Sequence, residues 1–255
     1  MEEKENQYNK KLFGLLGKDI SYSFSKGYFT EKFRNENLDN HNYINLDLPA
    51  IEDFPLILEQ YKSDLSGINV TIPYKEVVIS FLDEIDEDAR RIGAVNTITI
   101  SPKGRLKGFN TDVYGFEHSL KPLLEDHHKK ALILGTGGAS KAVAFALHKL
   151  NIEFFFVSRN PQKKNEISYN QLTEELFSEY SILINCSPVG TFPNVEKSPK
   201  IPYEFLSKKH LLFDLIYNPA VTTFLSNGKK QGAVIKNGLQ MLELQAEKSW
   251  AIWNS

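Results

Sequence analysis

The chain has 255 residues, of which 41% are hydrophobic and 24% are charged, and its formal net charge is −2 at pH 7. This composition supports a packed core and excludes an intrinsically disordered chain. Because phosphate binding usually leaves a cationic surface, a chain without a basic run is also not expected to bind nucleic acid.

A single cysteine, Cys186, excludes an internal disulfide and favours a reducing compartment. No apolar run reaches the ~18 residues that a membrane helix needs, and residues 1–11 are polar, without the apolar centre of a secretory signal. No cluster of histidine, cysteine and aspartate has the spacing of a metal site. We therefore expect a cytoplasmic protein without membrane or metal contacts, either a monomer or a homodimer.

Short apolar runs alternate with amphipathic runs along the whole chain. The apolar runs predict strands at 12–15, 43–46, 68–72, 131–134, 154–157, 182–184 and 211–215. The amphipathic runs predict helices at 25–36, 51–61, 141–150 and 222–230. Strands that alternate with helices predict parallel sheets flanked by helices, and the continuous apolar run at 154–157 predicts a strand buried on both faces.

The polar segment at 120–130 separates the two halves, with a connecting helix predicted at 113–123. We therefore expect two α/β domains, the first at 1–112 and the second at 113–237. Apolar residues at helical spacing predict a last helix at 239–253 with one buried face. We expect residues 238–255 to complete the first domain.

A glycine-rich turn follows the strand predicted at 131–134. It contains Gly135, Gly137 and Gly138, then Ala139 and Ser140, and it leads directly into a helix. A strand, a tight glycine turn and a helix form the first unit of a dinucleotide-binding fold. In that fold the free N–H groups at the helix start hold the pyrophosphate. A structural connection without a ligand is the alternative.

The end of the next predicted strand carries cations where an NAD site usually carries an acid for the ribose 2′-hydroxyl. Ser158, Arg159 and Lys163 stand there. A guanidinium binds phosphate with paired hydrogen bonds, so this segment favours NADP, with its 2′-phosphate, over NAD. A solvated surface arginine is the alternative.

Four short segments of the first half carry polar residues near strand ends or helix starts, where open α/β sheets bind their ligands. They are residues 21–25, 67–75, 93–97 and 108–112. Their hydroxyl, amide, amine and carboxylate groups fit a small polyhydroxylated ligand better than an apolar one.

These four segments, with 214–219 and 237–246, resemble the signature motifs of the shikimate dehydrogenase family, and the resemblance runs from about residue 13 to residue 253. It implies a substrate-binding catalytic domain at 1–112, completed by 238–255, with a mixed, mostly parallel sheet. It also implies a Rossmann-like NADP-binding domain at 113–237 and a cleft between the two domains. The implied reaction is the NADPH-dependent, reversible reduction of 3-dehydroshikimate to shikimate.

The resemblance also implies roles for single residues. Lys75 and Asp112 match the catalytic pair, in which the lysine protonates the ketone oxygen during hydride transfer and the aspartate orients the lysine. The residues that match substrate contacts are Ser23, Ser25, Thr71, Asn96, Asp112, Tyr217 and Gln245. The residues that match or suit cofactor contacts are Gly135, Gly137, Gly138, Ala139, Ser158, Arg159, Lys163 and Gly238.

Simpler roles remain open for several of these residues. Ser25 and Asp112 could cap the helices that follow them, Lys75 could be a solvated surface lysine, and Gln245 could be a polar surface residue. For the whole chain, one alternative is a quinate/shikimate dehydrogenase with dual substrate or NAD use. The other is a non-catalytic regulator that binds NADPH and a ring acid.

Overall fold

The computed structural model describes residues 10–21, 23–62 and 64–255, and it divides into two compact units. The first unit extends to Thr111 and also includes Ser249–Ser255, whereas the second is Asp112–Lys248. Residues 1–9, whose composition argued against a secretory signal, and Tyr22 of the first motif lie outside the described residues. The domain boundaries expected from the sequence stay a prediction, because compactness does not test which residues bind a substrate or a coenzyme.

A six-stranded mixed sheet is the framework of the first unit. Its elements in chain order are β1 (Lys11–Gly17), α1 (Phe24–Asn35), β2 (His41–Asp47), α2 (Phe54–Gln60), β3 (Leu65–Val70), β4 (Glu84–Ile85), α3 (Glu87–Ile92), β5 (Thr97–Ile100) and β6 (Leu106–Phe109). The strand order is β2-β1-β3-β5-β6-β4, and neighbours are parallel except that β5 is antiparallel to β3 and β6. The predicted mixed, mostly parallel sheet is confirmed.

Side chains pack against both faces of this sheet. Successive residues of a strand point to opposite faces. Leu16 of β1 is fully buried in one hydrophobic cluster, together with Ile68. Phe13 points to the opposite face of β1, where its ring centroid lies 4.8 Å from that of Trp253. Gly67 packs directly against the Trp253 indole, where a side chain would collide. The end of the last helix is therefore part of the core of this unit.

A six-stranded parallel sheet is the framework of the second unit. Its elements in chain order are α4 (Asp112–Leu120), β7 (Lys130–Leu134), α5 (Gly138–Lys149), β8 (Glu153–Ser158), β9 (Glu166–Ser168), α6 (Glu174–Glu179), β10 (Ile182–Asn185), β11 (Leu211–Asp214), α7 (Thr223–Lys230), β12 (Val234–Lys236) and α8 (Leu239–Trp253), whose last five residues belong to the first unit. The strand order is β12-β11-β10-β7-β8-β9. Strands are added on one side of β7 up to β9 and then on the other side, which is the doubly wound arrangement of dinucleotide-binding folds.

The central strands of the second sheet are more deeply buried than its margin. All four residues of β10 and of β11 are buried. In contrast, Phe154, Phe155 and Phe156 of β8 are only partly buried, because only the short strand β9 lies beyond β8. The prediction that this run is buried on both faces is therefore wrong.

Two predicted helices are found in the structure, and the first has a proline near its start. The predicted helix at 51–61 begins as a 3-10 turn, Ile51–Asp53, and continues as α2, with Pro55 in its first turn. Proline is tolerated there because the first N–H groups of a helix have no helical partner. The last predicted helix, at 239–253, is confirmed as α8.

Within residues 10–21, 23–62 and 64–255, no helix combines the length and the apolarity that crossing a bilayer requires. The same residues contain no group of three or more histidine, cysteine, aspartate or glutamate side chains placed to hold a metal ion.

Candidate active site

The polar motif segments of the first unit gather at one edge of its sheet. Strands β1 and β3 are parallel and end at this edge, whereas β5 is antiparallel to β3 and begins there. Backbone bonds join the segments: the Thr71 N–H donates to the Leu16 carbonyl at 2.8 Å, and the Val95 N–H donates to the Lys75 carbonyl at 2.7 Å. The segments that follow β1 and β3 and that precede β5 are therefore held side by side.

Ser23 and Ser25 have different structural roles at the start of α1. Ser23 is the N-cap residue, and its hydroxyl accepts a hydrogen bond from the Lys26 N–H at 3.3 Å. Ser25 lies inside the first turn, is 8% exposed and hydrogen-bonds the Tyr43 hydroxyl. The alternative in which Ser25 caps the helix is wrong, since Ser23 is the cap.

Thr71 and Lys75 follow β3 in a turn that is anchored by Tyr74. The Tyr74 N–H donates to the Thr71 carbonyl at 2.9 Å, and its hydroxyl donates to the Leu48 carbonyl at 2.6 Å. Thr71 and Lys75 are both partly buried. Lys75 is therefore not the fully solvated surface lysine of the simpler interpretation.

Asn96 is 2% exposed, and three donors hold its amide. Its Oδ1 accepts hydrogen bonds from the Thr111 N–H at 2.7 Å, the Thr97 hydroxyl at 3.1 Å and the Thr111 hydroxyl at 3.2 Å. A backbone N–H can only donate, so the atom that faces it is the amide oxygen. Asn96 therefore has one orientation, in which Oδ1 faces these three donors and Nδ2 lies on the other side of the amide.

The second unit contains the strand, glycine turn and helix predicted to hold a pyrophosphate. Gly135 adopts a φ of +111°, which favours glycine, and its N–H donates to the Val157 carbonyl at 3.0 Å. Gly137 is the N-cap residue of α5, and no atom lies within 4 Å of the position where its Cβ would stand. The open space at Gly137 and the first N–H groups of α5 fit a phosphate, whose charge the helix N-terminus favours.

The first turn of α5 is formed by Gly138, Ala139 and Ser140. Ser140 is 1% exposed, and its hydroxyl donates to the Gly137 carbonyl at 2.6 Å. Ser140, at the position of the usual third glycine, therefore hydrogen-bonds back to the N-cap residue. It is also small enough to let the helix pack against the sheet.

Two predicted phosphate ligands follow β8, at the end of the parallel sheet where the glycine turn lies. Lys163 forms an ion pair with Glu166, and its ammonium lies 3.9 Å from the Glu166 carboxylate. Arg159 is exposed and lies close enough to Tyr169 to oppose the rise that burial causes in the pKa of that phenol. The Ser158 hydroxyl accepts a hydrogen bond from the backbone two residues later, at 3.2 Å. Of the two cations, Arg159 is the better candidate for a 2′-phosphate.

A buried carboxylate organises the loops that follow β10 and β11. Asp214 accepts hydrogen bonds from the Thr222 hydroxyl at 2.6 Å, the Asn185 amide at 3.0 Å and the Ile216 N–H at 3.1 Å. Burial raises the pKa of Asp214 to about 6, although these hydrogen bonds oppose the rise. Burial, followed by the Asp214 charge, raises the pKa of the Cys186 thiol, so this thiol stays protonated and unreactive near neutral pH.

Gly238 fixes the loop that carries Tyr217. A side chain at Gly238 would collide with the Leu215 carbonyl oxygen, and the Gly238 N–H donates to the Ile216 carbonyl at 3.1 Å. Packing alone therefore requires glycine at this position. Tyr217 follows Ile216 directly and is 36% exposed.

Asp112 and Gln245 lie on helices α4 and α8, which approach closely at Gly115. A side chain at Gly115 would collide with the Met241 carbonyl and would lie 3.1 Å from the Gln245 Cβ. Asp112 precedes Gly115 by three residues and shares its face of α4. Asp112 and Gln245 are each 7% exposed, so the alternative of Gln245 as a surface residue is wrong.

Several buried polar residues of the first unit carry no role in the sequence-based prediction. They are Tyr43, Asn69, Thr97, Thr111 and Ser249. Asn69, Thr97 and Thr111 lie inside the motif segments 67–75, 93–97 and 108–112, beside residues with a predicted role. Tyr43 and Ser249 give no such signal, because a single polar residue in a strand or helix looks the same in sequence whether it is buried or solvated.

Comparison with known proteins identifies similar chains. Residues 15–98 match the family model described as the shikimate dehydrogenase substrate binding domain. Proteins named Shikimate dehydrogenase (NADP(+)) from Caldanaerobacter subterraneus subsp. tengcongensis and Methanococcus maripaludis are 38% and 37% identical to this chain, and each match covers 95% of this chain and 91% of the relative. A solved structure of shikimate 5-dehydrogenase from Thermus thermophilus, in complex with NADP(H) and shikimate, has a TM-score of 0.84 at 32% identity. That match covers 95% of this chain and 93% of the solved chain.

Proposed function

Because the chain belongs to the shikimate dehydrogenase family, we propose that it catalyses the reversible reduction of 3-dehydroshikimate to shikimate with NADPH. The observation that carries the proposal is the 38% identity over 95% of the chain. The predicted family, the oxidoreductase class and NADP as the coenzyme are confirmed by the relatives. The reaction belongs to the shikimate pathway, which leads to chorismate and the aromatic amino acids.

The substrate is assigned to the sheet edge of the first unit. Ser23 stands at the N-terminus of α1, a helix of 12 residues whose positive end favours a carboxylate. Asn96 would donate through Nδ2 to a ring oxygen, as its fixed orientation requires. The full proposed set of substrate contacts is Ser23, Ser25, Thr71, Asn96, Asp112, Tyr217 and Gln245.

The coenzyme is assigned to the carboxyl edge of the parallel sheet in the second unit. The open space at Gly137 supports the pyrophosphate assignment, and the exposed Arg159 supports the 2′-phosphate assignment. The full proposed set is Gly135, Gly137, Gly138, Ala139, Ser158, Arg159, Lys163 and Gly238. Gly238 has no side chain, so its proposed contact with the nicotinamide is made by its backbone.

When bound, NADPH supplies the hydride that reduces the ring ketone. Lys75 holds a proton toward the ketone oxygen, where negative charge develops, and transfers it as the alcohol forms. Asp112 orients the Lys75 ammonium as the partner carboxylate. In the oxidative direction Lys75 must accept a proton, so the rate of shikimate oxidation is expected to rise with pH.

The test follows NADPH absorbance with 3-dehydroshikimate and repeats the assay with NADH. We expect NADPH to be preferred by at least about 10-fold in kcat/KM, since the loss of one charge-assisted phosphate contact is worth about 1.4 kcal/mol or more. In the reverse direction shikimate is compared with quinate. Equal rates on both acids would indicate a dual-substrate dehydrogenase, and binding of NADPH and shikimate without turnover would indicate a regulator.

The cellular setting and the assembly belong to the same proposal. The single cysteine supports a cytoplasmic enzyme, because it forms no internal disulfide that would need an oxidising compartment. Both a monomer and a homodimer agree with the sequence, and light scattering coupled to size-exclusion chromatography distinguishes them.

A further inference from the structure

A buried cluster of polar side chains lies behind the substrate-facing edge of the first unit, and the proposed function uses only one of its members, Asn96. Each member is at most 4% exposed; the members are Tyr43, Asn69, Asn96, Thr97, Thr111 and Ser249. A carbonyl and a backbone N–H set the orientations of the Asn69 and Asn96 amides, whereas either hydroxyl can donate in each hydroxyl pair between them. The orientation has a consequence for Asn96, the member that is assigned to the substrate.

The orientation of Asn69 follows from one neighbour. Its Nδ2 lies 3.4 Å from the Asn96 carbonyl, and a carbonyl can only accept a hydrogen bond. The Tyr43 hydroxyl therefore faces the Asn69 Oδ1, to which it donates at 2.8 Å. With its oxygen occupied by Tyr43, Asn69 directs its N–H groups at the hydroxyls of Ser249, at 3.0 Å, and Thr97, at 3.3 Å.

The hydroxyls of Thr97, Thr111 and Ser249 form a triangle between the two amides. Ser249 lies 2.8 Å from Thr97 and 3.2 Å from Thr111, and the two threonine hydroxyls lie 3.2 Å apart. Asn69 donates into this triangle from one side, and the Thr97 and Thr111 hydroxyls donate to the Asn96 Oδ1 on the other side. Within the triangle either hydroxyl of a pair can be the donor, so Ser249 supports Asn96 through its contacts with the two threonines.

We propose that Thr97, Thr111 and Ser249 are positioning residues that hold the Asn96 amide so that Nδ2 meets an oxygen of the substrate ring. The inference rests on the proposed function, since Asn96 is a substrate contact only within it. It predicts that the recognised ring atom is an oxygen that accepts a hydrogen bond. It also predicts that removing one hydroxyl from the triangle weakens substrate binding, because the Asn96 side chain then samples other rotamers.

Thr97 offers the sharpest test, because valine has its shape without the hydroxyl and serine keeps the hydroxyl. We expect Thr97→Val to raise the KM for 3-dehydroshikimate about 5- to 10-fold, the effect of one lost hydrogen bond. The kcat is expected to stay within about threefold and the KM for NADPH to stay unchanged. Thr97→Ser should restore the native KM. A Thr97→Val enzyme with a lowered melting temperature but a native KM would show a merely structural role and overturn the inference.

Two further variants separate a local effect from a general one. Ser249→Ala should raise the KM for 3-dehydroshikimate in the same way, whereas Ser119→Ala should leave it unchanged. Ser119 is the matched control, because its hydroxyl is equally buried but donates within its own helix, to the Phe116 carbonyl at 3.1 Å. In an Asn96→Ala background, Thr97→Val should raise the KM no further, since its effect acts through Asn96. An additive effect would contradict the inference.

A spectroscopic readout keeps the inference testable if the native enzyme does not turn over 3-dehydroshikimate, which would itself overturn the proposed function. In ¹⁵N-labelled protein, the side-chain amide resonances of Asn96 are assigned by their absence from Asn96→Ala. We expect them to shift in Thr97→Val and to return toward the native position in Thr97→Ser. Unchanged Asn96 resonances in Thr97→Val would overturn the inference independently of any enzymatic rate.

Discussion

The two units differ in the physical state of the groups that are proposed to face their ligands. In the first unit Asn96 is nearly inaccessible, and its amide is held by three hydrogen bonds. In the second unit Gly137 has open space where a side chain would stand, and Arg159 is exposed. At these positions the first unit therefore offers an oriented neutral amide, whereas the second offers backbone N–H groups and a solvent-exposed charge.

This difference matches the ligands that the two units are proposed to bind. A ring with several hydroxyls is distinguished from similar rings only if each donor and acceptor has a fixed direction, because a neutral hydrogen bond weakens steeply with angle. A phosphate carries several equivalent acceptor oxygens and a charge, so a helix N-terminus and an exposed guanidinium bind it without a single orientation. Substitutions in the two units should therefore have effects of different kinds.

The largest effect is expected at Lys75, because it is proposed to act on the reacting atoms rather than on binding. Lys75→Ala should lower kcat by about 100-fold or more and leave both KM values within a few-fold, because the ammonium stabilises charge that exists only in the transition state. Steady-state kinetics in both substrates measure this. Lys18→Ala, an exposed lysine that follows β1 at the same sheet edge, is the control. A loss confined to KM would assign Lys75 to binding alone.

The next effect concerns packing in the second unit. Gly238→Ala should lower the free energy of unfolding by about 2 kcal/mol or more, since the added carbon collides with the Leu215 backbone. Gly27→Ala is the contrasting variant, because no atom lies within 4 Å of its would-be Cβ and it stands inside α1. That substitution should stabilise by up to about 1 kcal/mol. Denaturant unfolding measures both, and equal effects would contradict the packing argument.

A smaller effect is expected at Arg159, where recognition depends on an exposed charge. Arg159→Ala should raise the KM for NADPH about 10-fold while the KM for NADH changes little, because only NADPH carries the 2′-phosphate. The difference should shrink at high salt, since exposed charges are screened. Lys164→Ala, in the same loop and also exposed, is the control. Equal weakening of both coenzymes would show that Arg159 does not read the 2′-phosphate.

The smallest effect is a dependence of stability on pH at Asp214. Its pKa in the folded chain, about 6, lies above the ordinary aspartate value of 3.8. Between these two values the folded state binds a proton that the unfolded state lacks, so the contribution of Asp214 to stability falls as pH rises from about 4 to about 6. Asp214→Asn imitates the protonated form. The stability of the native chain relative to this variant should therefore fall by about 1 kcal/mol between pH 5 and pH 7.5. A constant difference would contradict the shift.

Elements with a strong local signal were predicted well, and elements without one were missed. The strand, glycine turn and helix at 130–149 were found because a buried apolar run, special backbone angles and an amphipathic face coincide there. Strands β4, β5 and β6 were not predicted, because they are only two to four residues long and are stabilised by pairing with other strands rather than by a local pattern. The same reason explains β9 and β12, at the margins of the second sheet.

For the candidate site, the motif segments identified nearly every residue with a proposed role. They did not show the burial or the hydrogen bonds of each residue. Ser25 and Ser23 look equivalent in sequence, and only the start of α1 shows that Ser23 is the cap. The predicted contacts of Lys75, Asp112 and the other site residues with substrate and coenzyme stay predictions, to be tested by the variants above.

The amino-acid sequence by itself determined the family, the α/β class and the segments that carry chemistry, because these depend on local residue types and their order. The tertiary structure alone decided the direction in which Asn96 points and the burial of Ser249 beside Asn69. Those properties depend on hydrogen bonds between residues up to 180 positions apart. No local pattern records such a bond, since its energy exists only after the sheet and the last helix have packed together.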